Sequence, residues 1–491
     1  MKRSIRFLDK TFWITESKDN PKHVASLQLL QKPENAGDDY LDNLVARLRT
    51  FSKAVSPFNM VVKAVVGFPL WLRSIDTLDM NYHVQVREMD DVSDQEALHH
   101  LVAELHEPML DRDKPLWQFF VIKGKKGNNF AIYVKIHHMY GDGASLVKWF
   151  QAGYLPEPQK EGFKPVWAVE RAKRKKEKKS FIKQAFTKAW EFIWVMADLF
   201  WILLRLLLKI LRINREYMPI PFTGTKTMLT GQVKQGRVVS TVDIDFKRVK
   251  EVSKKLRATA NEVLLCCFDI GVRRYLADEG QVFERALYTN MPINMRKPGE
   301  HVSGNKIAIV PVKLAHGQND PYIRLRQIIE NHRIVKRAAK RSHPAAFSYY
   351  TILIQSFALV FEVLRMSDLV RPIANILISN VPGPSDVRYF GDAKLEAIYP
   401  ISTIVPGGGV NITLLTYGDM ANVGLVCSDR KIKSLESMAH YFNDAFELLE
   451  KSVGDYNVSI QDIGERVVTD HKAILDEHPI HISEEHHHSS V

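Results

Sequence analysis

Two adjacent histidines, His137 and His138, are followed after Met139-Tyr140-Gly141 by Asp142-Gly143. A neutral imidazole, with an unperturbed pKa of about 6.5, can take a proton from an alcohol at physiological pH. No Gly-x-Ser-x-Gly elbow supplies a serine nucleophile, and Cys266, Cys267 and Cys427 lie in no activating setting. The chemistry favoured is therefore direct attack by an activated hydroxyl, without a covalent enzyme intermediate. A metal would need a third ligand, and none stands at ligand spacing around the pair. The plainer alternative is a pair of core histidines at a strand end.

The elements around the pair must place one histidine in a cleft. Phe130, Ile132, Val134 and Ile136 alternate with other residues, the period of a strand, which sends the two imidazoles to opposite faces. Gly141 and Gly143 allow a tight turn, and Asp142 can fold back to orient it or pair with a cation. A second apolar run over 116–122 and the Gly-Lys-Lys-Gly-Asn-Asn turn complete a hairpin. Helical spacing recurs over 38–50, 93–106 and 144–151, and later over 246–256, 261–277, 323–338, 345–366 and 433–451. Strand patterns fall at 236–243, 286–293, 307–313 and 410–417. The mixture predicts two mixed α/β domains, 1–163 and 218–465, joined by a connector over 164–217. The polar, His-rich tail over 466–491 reads as solvated chain, with metal binding as the alternative.

With 491 residues, 45% apolar and 25% charged, the chain has the composition of a globular protein, which excludes collagen-like and wholly disordered classes. Three cysteines, two of them adjacent, exclude a disulfide framework and a zinc ribbon, and point to reduced thiols in the cytoplasm. The formal charge is +12, yet between Lys164 and Glu216 there are 14 basic and 5 acidic residues, so +9 of it is local. A basic run over 171–179 precedes an apolar stretch over 190–213. In that stretch Glu191, Asp198, Arg205 and Arg212 recur every seven residues, drawing a narrow polar stripe on a helix and leaving Trp190, Trp194 and Trp201 on its apolar surface.

Such a helix must bury itself in lipid or in protein. The first reading is an interfacial anchor drawn to anionic headgroups, and the second is packing against the domains or another subunit. Nucleic acid is disfavoured, because no stacking aromatics interleave the basic run. The N-terminus lacks the apolar region of a secretory signal, and no uncharged apolar run reaches 18 residues, the connector coming nearest.

His137-His138-x-x-x-Asp142-Gly143 resembles the signature of the coenzyme A-dependent acyltransferase superfamily. The segment from Leu110 through Pro115-Leu116-Trp117 is similar to a motif of the bacterial wax ester synthase/diacylglycerol acyltransferase family. Pro21-Lys22-His23-Val24, Asn261-Glu262-Val263-Leu264, Pro292-Ile293-Asn294-Met295-Arg296, Ser379 to Pro384 and Gly409 to Thr413 match further blocks in order. The resemblance covers roughly residues 5–455. Departures are Glu262 in place of the family's usual Asp, Lys22 where Met is frequent, and Gly141 where a small hydrophobic residue is usual.

The resemblance implies two similar α/β domains with a tunnel between them, and an acyl-CoA:alcohol O-acyltransferase. His138 would be the general base, His137 its support, and Asp142 a structural residue; from charge alone, Arg296 is a candidate salt-bridge partner for Asp142 across the domain junction. Asn261 would donate to the tetrahedral oxyanion, unless it is only a helix N-cap. Gly143, Trp117, Asn380 and Thr413 would touch substrate, although Pro115 and Trp117 also read as strand start and core filler. Pro406-Gly407-Gly408-Gly409 would bring backbone close to a ligand or simply turn. The expected partners are acyl-CoA as co-substrate, with no resident cofactor, a fatty alcohol or diacylglycerol, and an anionic membrane or lipid-droplet surface, with a homo-oligomer as a further option. The expected location is the cytoplasmic face of the membrane or lipid inclusions. The competing functions are a catalytically silent lipid-binding protein and a peptide-condensation domain.

Overall fold

A computed structural model describes residues 2–141, 143–170, 181–213, 218–294, 307–317, 320–428 and 432–456. The chain opens with β1 (Lys2–Ser4), α1 (Phe7–Thr15), β2 (His23–Gln31), α2 (Tyr40–Thr50), β3 (Met60–Val65) and β4 (Phe68–Ser74). It continues through α3 (Met80–His83), β5 (Val84–Asp91), α4 (Gln95–His106), β6 (Trp117–Lys126), β7 (Asn129–His137) and α5 (Gly143–Gly153). The connector holds α6 (Phe181–Ile210). Beyond it come β8 (Arg237–Asp245), α7 (Phe246–Lys255), α8 (Ala260–Asp278), β9 (Tyr288–Asn294), β10 (Ile307–Lys313), α9 (Pro321–Arg341) and α10 (Pro344–Val363). The last elements are β11 (Ile376–Pro382), β12 (Tyr389–Phe390), β13 (Ala393–Ile401), β14 (Val410–Tyr417), β15 (Met420–Ser428) and α11 (Glu436–Tyr456).

Two six-stranded mixed sheets, each with its own core, form the two lobes of this α/β fold. Their strand orders are β12-β13-β2-β7-β6-β5 and β10-β9-β11-β14-β15-β8, with a small β1-β4-β3 sheet beside the first. The predicted hairpin is β6 and β7, antiparallel with Phe120 opposite Tyr133. On the other side of β7, β2 pairs antiparallel and sets His23 opposite His137. In the second lobe α8 is buried almost all round, and its Phe268 meets Phe442 of α11 edge to face at 4.7 Å.

The sheets do not divide where the sequence blocks do. Residues 389–401, from the C-terminal block, belong to the first sheet, with Leu395 opposite Leu30 and Ile401 opposite Ala25. Apolar side chains at both parities of β13 explain the placement. Leu395 and Ile398 enter the core that holds Leu30 and Trp117, whereas Ala397, Tyr399 and Ile401 pack with Leu27 and Val426.

Helix α6 begins at Phe181, earlier than the apolar stretch predicts. Val195, Ile202 and Leu206 pack with Val310 of β10 and with Phe347 and Tyr350 of α10. Asp198 of the polar stripe accepts the His343 N–H at 2.7 Å, just before α10. Trp190, Trp194, Phe200 and Trp201 are instead exposed. The helix most apolar over its length is α10, which is long and apolar enough to cross a membrane by composition, with a third of that stretch buried. This corrects the expectation that the connector comes nearest, because Glu362 is the one charge in α10. The basic run over 171–179 and the tail over 466–491 lie outside the described residues.

Candidate active site

Strand β7 ends by dividing its last hydrogen bonds between two neighbours. The His137 N–H donates to the Leu116 carbonyl at 2.9 Å, and the His138 N–H donates to the Lys22 carbonyl at 2.8 Å. The chain then winds into a single 3-10 turn over His138–Tyr140. His137, the last residue of β7, is fully buried, and His138, the first of the turn, is half-buried.

The two rings are held by one helix. Phe12 of α1 stacks on His138, with centroids 4.1 Å apart and planes 9° from parallel. Glu16, one turn on at the C-cap of α1, has Oε1 3.4 Å from His137 Nε2, longer than a good hydrogen bond. Nδ1 of His137 accepts the Met139 N–H at 3.1 Å, so its ring proton sits on Nε2, facing that carboxylate. Oε1 of Glu16 also accepts the Lys22 N–H, and Oε2 accepts Nε and Nη2 of Arg112 at 3.3 and 3.1 Å. Arg112 lies over the Trp13 ring at 4.2 Å. Burial, the largest single influence, pushes the Glu16 carboxyl up, but His137, the Lys22 N–H and Arg112 together hold it below its ordinary value of 4.5. Burial also depresses the Lys22 ammonium to about 8.

Phe12, Glu16 and Arg112 are site-supporting residues that sequence reasoning missed. Two signals were available: the i, i+4 spacing of Phe12 and Glu16 on one helix face, and Arg112 inside the Leu110–Trp117 block.

Gly141 has φ −178°, extended backbone open to any residue. Space explains the glycine: a Cβ there would lie 2.8 Å from the Trp149 ring and 2.9 Å from Cβ of Ser145. Asp142 and Arg296, and with them the expected salt bridge, lie outside the described residues. Gly143 faces the other lobe, where a Cβ would make ordinary contact with Val381 Cγ2 at 3.4 Å.

Next to Val381, Asn380 is exposed at the end of β11, and its Nδ2 donates to Oδ1 of Asn261. Asn261 is not the N-cap of α8. Thr259 takes that place, its hydroxyl accepting the Glu262 N–H at 3.3 Å while Glu262 Oε2 accepts the Thr259 N–H at 2.8 Å. The Thr-x-x-Glu spacing of a capping box was legible in the sequence. Oε1 of Glu262 meets Nδ1 of His332 at 2.9 Å. Burial pushes the Glu262 carboxyl up, but His332 and Thr259 outweigh it and hold the group at about 2. The Gly143–Val381 contact thus brings the histidine turn of one lobe beside the Asn261–Asn380 pair of the other.

Other expected substrate contacts are corrected. Trp117 is 1% exposed, its Nε1 donates to the Phe58 carbonyl at 2.8 Å, and its ring stacks between His83 and Trp167, so it belongs to the core. Pro115 is buried just before β6, at the strand start. Thr413 is buried, and its hydroxyl is committed to Asn411 Oδ1 at 2.7 Å. Gly409 serves close backbone packing, because a Cβ there would fall 1.9 Å from the Asn375 carbonyl. The three cysteines are buried, and none of them forms a disulfide among the described residues.

The wax ester synthase/diacylglycerol acyltransferase catalytic domain, as a family model, matches residues 5–264, and the WS/DGAT C-terminal domain matches residues 303–450. The chain is 28% identical over 452 residues to an O-acyltransferase WSD of Acinetobacter baylyi, covering 91% of this chain and 97% of that one. It is 27% identical over 459 residues to a probable diacylglycerol O-acyltransferase of Mycobacterium tuberculosis, covering 91% and 98%. Its fold is similar to that of the wax ester synthase/diacylglycerol acyltransferase from Marinobacter aquaeolei VT8, with a TM-score of 0.71 at 24% identity, covering 92% of this chain and 100% of that one. The first condensation domain of the calcium-dependent antibiotic synthetase shares the fold at a TM-score of 0.58 and 12% identity, covering 94% and 98%. With more than half its length matched by the first model alone, the chain belongs to the wax ester synthase/diacylglycerol acyltransferase family.

Proposed function

We propose that this acyltransferase moves a long-chain acyl group from coenzyme A to the hydroxyl of diacylglycerol or of a long-chain fatty alcohol, with His138 as general base. The observation that carries this reading is the asymmetry of the two histidines. His137 is sealed, with Nδ1 taken by the Met139 N–H and Nε2 facing Glu16 at 3.4 Å, whereas the half-buried His138 ring rests on Phe12.

In the proposed reaction His138 takes the acceptor's hydroxyl proton as the oxygen attacks the thioester carbonyl. The tetrahedral oxyanion collapses, the C–S bond breaks, and the imidazolium returns its proton to the leaving thiolate. No resident cofactor is needed. Asn261 is the proposed oxyanion donor: Asn380 occupies its Oδ1, which leaves the Nδ2 protons for the substrate. A positioned donor of this kind is worth about 3 kcal/mol.

The proposed location is a lipid surface at the cytoplasmic side. Support comes from the exposed Trp190, Trp194, Phe200 and Trp201 of α6 together with Phe357, Val360 and Val363 of α10, next to a basic run in sequence.

Radiolabelled palmitoyl-CoA with either hexadecanol or dioleoylglycerol should yield ester, and His138→Ala should lower the rate by about 100-fold or more. Equal turnover by the variant would remove His138 from the mechanism.

A further inference from the structure

Helix α10 carries one carboxylate, and it points inward. Glu362 is 8% exposed on a helix whose Phe357, Val360 and Val363 are exposed. Burying a carboxylate is costly unless donors replace its water. The donors come from two distant segments. Asn20 Nδ2 donates to Oε1 at 2.9 Å, and the Gly407 N–H donates to Oε2 at 3.2 Å. The Glu362 carbonyl meanwhile accepts Nε2 of Gln232 at 3.1 Å.

Asn20 sits in the short segment that links α1 to β2, and this segment holds the histidine turn. Its backbone closes on itself, Asn20 N–H to Ser17 carbonyl at 3.1 Å and Ser17 N–H to Asn20 carbonyl at 3.3 Å. Two residues on, the Lys22 carbonyl takes the His138 N–H, and the Lys22 N–H is held by Glu16. Arg237 of the second lobe adds a bond to the Asp19 carbonyl at 2.8 Å. The position of the His138 backbone is therefore fixed by a segment that is itself fixed from the opposite lobe.

We propose that Glu362 is a positioning residue for His138, acting through Asn20 and the Lys22 carbonyl. The proposal rests on the reading of His138 as the base. Glu362→Gln keeps the shape but presents an NH2 group to one of its two N–H donors, so one contact must be lost. Asn20→Ala removes the other end of the same link.

Both variants should lower kcat for ester formation about tenfold while the KM for palmitoyl-CoA stays within twofold, and the double variant should be no slower than the worse single one. A contact that merely stabilises the fold would instead lower the melting temperature and leave kcat alone, and that result overturns the proposal. An unchanged kcat with a raised KM overturns it too. A second readout does not depend on turnover. Carbethoxylation of His138 by diethyl pyrocarbonate, followed by peptide mass spectrometry, should quicken several-fold in both folded variants. If the wild type makes no ester while both variants still label faster than it, the assigned activity is refuted and the positioning link is upheld. Unchanged labelling in both variants would refute the link itself.

Discussion

Nε2 of His137 lies 3.4 Å from Oε1 of Glu16, and both side chains are closed to solvent. With Nδ1 occupied by the Met139 N–H, the imidazole shows its proton to a carboxylate that, against the opposing effect of burial, His137 itself, the Lys22 N–H and Arg112 hold below its ordinary value. This contact orients the ring within the core.

Glu16→Gln should therefore destabilise the protein by about 2–3 kcal/mol at neutral pH, because Arg112 and the Lys22 N–H lose an ionised acceptor. The folded pKa of Glu16 lies below 4.5, so its contribution is complete above that value and is lost as pH falls through the lowered one. Urea titrations of wild type and variant should converge as pH falls below 4.5.

Lys22→Met should stabilise. The buried ammonium titrates at about 8 in the fold against an ordinary 10.5, so the folded state gives up its proton first. The penalty is full below 8 and disappears as pH rises toward 10.5. The variant should gain about 1–3 kcal/mol at pH 7, with the advantage shrinking in alkaline buffer. A gain independent of pH would assign the effect to packing.

Glu262→Ala removes both the capping box and the partner of His332, and should cost about 1–2 kcal/mol. The Glu262 contribution is complete above 4.5 and is lost as pH falls toward 2, so the loss should shrink in acid. Ester formation should fall further than stability alone explains, since Asn261 rides on the same first turn of α8. Rates measured well below the melting temperature separate the two effects.

Trp194→Ser with Phe200→Ser should weaken retention on anionic vesicles about tenfold or more, and the melting temperature should hardly move because both residues are exposed. Flotation at two salt concentrations checks this. A change in oligomeric state without any change in flotation would assign the surface to a second copy of the chain.

The local parts of the structure were legible. Alternation over 130–136 predicts β7, and apolar spacing predicts α2, α4, α8 and α9 to within a few residues. The contacts that complete the site were not. Asn380 meets Asn261 across a separation of 119 residues, and Asn20 meets Glu362 across 342, so no periodicity connects them. Trp117 shows the converse limit. A tryptophan in a recognisable motif reads as substrate contact or core filler alike, and only the Phe58 carbonyl on its Nε1 decides for the core. Thr259 was a missed opportunity, since its cap follows from four consecutive residues.

The placement of β13 next to β2 has a consequence for how such enzymes can diversify. A recombination point anywhere between β8 and β11 carries the donor's residues 393–401 into the recipient's first sheet, opposite Ala25 to Gln31. The lobes are therefore not exchangeable cassettes. A chimera inherits a foreign strand in the half it was meant to leave untouched, and succeeds only when Leu395 and Ile398 suit the recipient's Leu30 and Trp117. Acceptor range in this architecture is then expected to shift by changes within a lobe, at the residues around its own half of the junction.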